Sequence, residues 1–166
     1  MFGSSPVELL ATDAMLRGEI YCESFSYSAA WITGTATALG ANATVDVQIQ
    51  INSDSDFVVQ HINFLTWSAA GTLIVAPDYL LTLVVAGSGR QIMNQAQPIR
   101  TLAGGYTSNE SMAGSMPFPR LIQMNSTLTC TLANRTATAS NRADLVLRGF
   151  KVFYTGGARQ VIFHTM

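Results

Sequence analysis

From Met116 to Tyr154 the chain reads M-P-F-P-R-L-I-Q, then N-S-T-L-T-C-T-L-A-N, then N-R-A-D-L-V-L-R-G-F-K-V-F-Y. The middle block alternates Leu128, Cys130 and Leu132 with Thr127, Thr129 and Thr131. A period of two gives one apolar and one wet face only if the backbone is extended. The last block places Val146, Phe150, Val152 and Tyr154 on one face, with Arg148 sharing it, and Leu145, Leu147, Lys151 and Phe153 on the other. Gly149 falls where a bulge or a close backbone approach fits. The two blocks are read as long neighbouring strands joined by the polar turn Asn134 to Asn141.

The same grammar recurs upstream. Val45, Val47, Ile49 and Ile51 alternate with Asp46, Gln48 and Gln50, a half-buried strand. Phe57 to Trp67 is a long strand. Tyr79 to Ala86 is a nearly continuous apolar run, suited to burial between two sheets. Ile20, Cys22 and Phe25 to Tyr27 predict one or two short strands, Thr72 to Val75 another around the turn Ala70-Gly71, and Arg159 to His164 a last one. Trp31 to Gly40, rich in Thr, Ala and Gly, reads as a loop or an edge strand. One helix is expected at the start: Ser5 and Glu8 form a capping box, with Pro6 at the first helical position, before Leu9, Leu10, Ala14, Met15 and Leu16, and Gly18 ends it. The fold class is therefore all-β, a jelly-roll-like β-sandwich of about eight strands with one short N-terminal helix. Residues 1–18 form the helix or arm, and 19–166 the sandwich, interrupted by an irregular arm at about 91–119 where Pro98, Gly104, Gly105, Gly114, Pro117 and Pro119 break any pattern.

Composition narrows the function. The chain has 166 residues, enough for one domain, and 48% of them are hydrophobic. Only 11% are charged, against roughly 25% in ordinary soluble proteins. A weakly charged chain at net charge −1 tends to associate. The first 80 residues hold eight acids and one base, the remainder eight bases and two acids. Those halves pair within one fold or across subunits. Seven of the later bases are Arg and Lys151 is the only Lys, which suits bidentate, partly buried contacts.

No chemistry is indicated by the motifs. Cys22 and Cys130 lie in no C-x-x-C, so a zinc site or disulfide framework is not expected. His61 and His164 have no evident acid partner and no nucleophile motif accompanies them. The N-S-D-S-D turn at Asn52 to Asp56 offers alternating oxygens, but the glycine and glutamate of a calcium loop are missing. Gly87-Ser88-Gly89-Arg90 reads as a tight turn. The basic residues are scattered, so nucleic acid is not an expected partner. No signal peptide or membrane span is read from the sequence, so synthesis in a host cytoplasm is expected and the Asn42, Asn125 and Asn134 triplets carry no glycosylation meaning. No cofactor and no enzymatic activity are expected.

An apolar strand ending in G-S-G-R-Q-I-M (Gly87 to Met93), an irregular arm, P-R-L-I (Pro119 to Ile122), N-S-T-L-T-C-T-L-A-N and a closing L-R-G-F-K-V-F follow one another over about residues 57 to 154. In this order they resemble the small jelly-roll virion proteins of tailed bacteriophages, especially capsid decoration or cement proteins. The resemblance implies a homotrimer on the virion surface that binds the major capsid protein and stabilises the shell. It carries no catalytic or metal residue. The contacts expected from the arm are Arg90, Arg100, Tyr106, Met112, Met116, Phe118 and Arg120. The alternatives are a tail, head-fibre or head-to-tail connecting protein, and a carbohydrate-binding jelly roll with Trp31, Trp67, Tyr79 and Tyr106 as the sugar platform.

Overall fold

The computed structural model describes residues 20–74, 78–86, 92–93, 95–102 and 114–155, with the backbone alone for 114–118. The expected helix before Gly18, the turn at Gly87 to Arg90 and the strand at Arg159 to His164 lie outside these residues. The described elements are β1 (Ile20–Ile32), β2 (Thr44–Gln50), β3 (Asp56–Ser68), β4 (Tyr79–Ala86), β5 (Gln97–Pro98), α1 (Ile99–Leu102), β6 (Gly114–Ile122), β7 (Thr127–Asn134) and β8 (Ser140–Tyr154).

Two four-stranded antiparallel sheets result, one ordered β1-β8-β3-β6 and the other β2-β7-β4-β5. β1 pairs with β8, β2 with β7, β3 with β6 and β4 with β5. This is the pairing of one long hairpin, with its tip between β4 and β5, rolled up until its two halves face each other. It is the eight-stranded jelly roll, as the patterning predicts.

One expectation is corrected by this order. β7 and β8 are not neighbours: β7 lies in the second sheet and β8 in the first. The stretch between them crosses from sheet to sheet. Its geometry is fixed by Asn134, whose Nδ2 donates to the Gly40 and Thr138 carbonyls at 2.8 Å each, while its Oδ1 accepts from the Thr136 amide and hydroxyl at 2.9 and 2.7 Å. The apolar stripes Leu128, Cys130, Leu132 and Ala143, Leu145, Leu147 thus belong to opposite walls of one core, all fully buried. A period-two pattern identifies a buried face but not the sheet that carries it.

The rest of that core follows from alternation. Phe57, Val59, Ile62 and Phe64 of β3, Tyr27, Ala29 and Trp31 of β1, and Leu81, Leu83 and Val85 of β4 are buried together. Phe64 meets Tyr79 edge-on at 6.0 Å between ring centres, and Tyr27 meets Phe57 at 4.8 Å. The Trp31 indole donates to the Val45 carbonyl at 3.0 Å, tying β1 to β2. Trp31 is therefore the last residue but one of a thirteen-residue edge strand, the second of its two readings, with the loop starting only at Thr33, and Ile20 to Ile32 is one strand where one or two short ones are expected.

The irregular arm is also shorter than its composition suggests, because Gly114 to Pro119 belong to β6. β6 is an edge strand with one partner, β3. Register is kept from Phe57↔Ile122 to Val59↔Arg120 and resumes at His61↔Ser115. Both prolines fall in the interrupted span, where a missing N–H costs no ladder bond.

Candidate interaction surface

The first sheet has long strands, thirteen residues in β1 and β3 and fifteen in β8, and the second has seven or eight in β2, β4 and β7. Along the core-facing side of β1, Trp31, Ala29 and Tyr27 are buried, Phe25 is 37% exposed and Tyr21 56% exposed. The first sheet thus runs beyond its cover. In the overhang Lys151 is buried, with Nζ 2.9 Å from Asp54 Oδ2 and 4.5 Å from the centre of the Phe25 ring. The hydrogen bond from Lys151, then that from Ser55, holds the Asp54 carboxyl below its ordinary pKa. Asp56 is engaged separately, its Oδ1 accepting from the Met124 amide at 2.7 Å. The two aspartates of the N-S-D-S-D turn therefore bind different protein groups and do not converge on one point.

The opposite side of the same sheet carries a second feature. β3 and β8 slip register between Val59 and His61, so Gln60 is an extra residue against β8. Gly149 makes the slip possible: a Cβ there would lie 1.8 Å from the Val58 carbonyl oxygen. The close approach expected of Gly149 is real, and the bulge sits on the partner strand. Across this point Ser26, Arg148 and His61 are successive cross-strand partners, as are Ser24, Phe150 and Val58. Ser24, Ser26, Gln60, His61, Arg148 and Phe150, with Phe25 and Gly149, line a shallow depression of about 430 Å³. His61 Nδ1 is buried without a hydrogen-bond partner, and so is Oδ1 of Asn63, two residues along the same strand. Further along that side Arg142 lies over Trp67 at 5.7 Å and pairs with Asp144 at 2.8 Å.

Of the contacts expected from sequence, Arg100 is exposed on α1 and Arg120 is exposed on β6, and α1 lies against β6. Met116 and Phe118 fall within the backbone of β6. Arg90, Tyr106 and Met112 lie outside the described residues. The sugar platform is corrected: Trp31 and Tyr79 are core residues at 0% and 2% exposure and present no stacking face. Sequence reasoning passed over the Arg148–His61 pair. The available signal was a charged residue on an otherwise apolar strand face beside a strand glycine.

No protein-family model matches the chain, and no curated protein does. Among solved structures, the VP2 subviral particle of infectious bursal disease virus is similar at TM-score 0.35 and 14% identity, over 83% of this chain and 33% of that one. Dimeric latent PorU from Porphyromonas gingivalis is similar at TM-score 0.31 and 10% identity, over 79% and 13%. The chain spans about a third of the first and about an eighth of the second. Likenesses this distant carry no functional argument; the strand order alone defines the class, an eight-stranded jelly-roll sandwich.

Proposed function

We propose that the chain is a structural protein of a bacteriophage particle, a capsid decoration protein that binds the major capsid shell from outside as a homotrimer. The observation that carries the reading is the rolled-hairpin strand order β1-β8-β3-β6 over β2-β7-β4-β5, an architecture used by viral capsid and lectin domains. Fold alone does not fix function, so two further features are weighed with it. The lectin reading loses its platform, since two of its four aromatics are core residues. The low charge fraction suits a surface completed by neighbours, where many modest contacts repeated by symmetry give avidity.

The test is co-sedimentation of the purified chain with capsid shells of its phage, alongside light scattering of the chain alone. A trimer that saturates the shells, with binding weakened by Arg120→Glu, supports the proposal. Recovery in the tail fraction of disrupted particles moves the chain to the tail or connecting alternative. A monomer that binds neither removes the virion reading.

A further inference from the structure

We infer that the depression over the β3 bulge is a carboxylate-binding site. Its lining groups are chemically one-sided. Arg148 supplies a guanidinium fork, Ser24 and Ser26 supply hydroxyls, Gln60 an amide and His61 an imidazole, and no acid lines the depression. Of the acids around it, Glu23 of β1 accepts from the Tyr21 hydroxyl, Asp144 of β8 is paired with Arg142, and Asp54 of the turn before β3 is paired with Lys151. No acid is paired with Arg148 among the described residues.

His61 adds an independent sign. Its Nδ1 is buried with no partner, and buried polar atoms are bonded in the great majority of cases. Among the described residues no hydrogen bond fixes the tautomer of this ring, so the proton can sit on the nitrogen that a ligand in the depression requires. Arg148 sits between Ser26 and His61 as their direct cross-strand partner, so residues with donor groups from three adjacent strands stand in one row across the depression. The bulge brings this about: it sets Gln60 and His61 side by side on the lining, where a regular strand would send one of them into the core.

One fixed positive charge with neutral donors matches a monoanion, and a planar carboxylate matches the guanidinium fork. The Phe150 ring forms an apolar wall beside it. The volume, about 430 Å³, takes a single acidic side chain or a single sugar acid. The shared chemistry is the carboxylate, and the inference rests on this site alone, not on the virion reading.

The experiment is an NMR titration of the isotope-labelled chain with acetate, with methyl acetate as the neutral control. Separate arms use a blocked glutamate peptide, glucuronate and inorganic phosphate. Acetate is expected to shift the Arg148 and His61 side-chain signals and the Ser24 and Ser26 amides, and methyl acetate to leave them in place. Arg148→Gln is expected to weaken binding about tenfold, and His61→Ala to weaken it less. The tighter of the glutamate and glucuronate arms identifies the carrier, a protein side chain or an acidic sugar. Equal response to the methyl ester, tighter binding of phosphate than of any carboxylate, undiminished binding in Arg148→Gln, or shifts spread equally over the exposed Arg120 and Arg135 would overturn the site. Should Arg148→Gln fail to give a folded spectrum, Ser26→Ala tests the same contact and is expected to weaken acetate binding; unchanged affinity there counts against the site.

Discussion

The two sheets obey the same alternation and are used differently. The second sheet is short and regular: β2 pairs with β7 and β4 with β7 without a slip, and buried residues alternate cleanly along β4 and β7. The first sheet outruns it, slips register at Val59/His61 and Trp67/Ser68, and buries a lysine. A sheet that only closes a core can stay ideal. Among the described residues, the register slips and the buried lysine all lie in the first sheet, and each goes with a surface feature: the overhang with Lys151, the depression with Arg148, the Trp67–Arg142 stack.

The sharpest way to break the contrast is Gly149→Ala. A methyl group 1.8 Å from the Val58 carbonyl oxygen cannot be accommodated without parting β3 from β8, so a loss of about 3 kcal/mol or more is expected in denaturant melts. Gly40→Ala, whose new Cβ would meet Ala43 at an ordinary 3.6 Å, should change stability little. Equal effects at the two positions would show that the slip is not held by Gly149.

Next in size is Asn134→Ala, aimed at the crossing that separates β7 from β8. It removes the four hydrogen bonds that the buried Asn134 side chain makes to the loop, and a loss of about 1–3 kcal/mol is expected. Retained stability would mean that the two sheets' packing alone fixes the crossing.

The overhang predicts a pH effect. Asp54 has a lowered pKa because Lys151 and Ser55 donate to it. Its contribution is present above the ordinary aspartate value of 3.8 and disappears as pH falls through the lower folded value. Asp54→Asn should therefore reduce the melting temperature at neutral pH and flatten its acid decline. An unchanged profile would show that the cation–π contact with Phe25 holds Lys151 without the acid.

The smallest perturbation compares the two cysteines. Burial pushes the Cys130 thiol up to about 12, with Asp46 adding to it, whereas Cys22, half-buried in the first sheet, is raised by burial alone. Brief treatment with iodoacetamide followed by mass spectrometry should label Cys22 first and Cys130 only on unfolding. Early labelling of Cys130 would show that the second sheet opens more readily than its regularity implies.

Much of this molecule was readable residue by residue. Tyr79 to Ala86 matches β4, the Val45 to Ile51 alternation covers β2, and Gly149 announced a close approach. Other parts misled for identifiable reasons. The Gly, Ala and Thr after Trp31 leave loop and edge strand undecided, and it is the indole bond to Val45 that ties Trp31 into the end of an edge strand. Pro117 and Pro119 look like breakers, yet an edge strand tolerates both. Arg148 and His61 look like isolated polar residues because they are 87 positions apart in sequence and meet only through the β3–β8 pairing.

Met116 to Tyr154 by itself determined that two long strands with one apolar face each exist, because period-two chemistry is local. It could not determine which sheet each joins. That was decided by the rolled hairpin, which sets the two apolar faces opposite each other and brings Arg148 of β8 beside His61 of β3. Pairing across such distances depends on how whole strands share a core, and no short window of sequence records it.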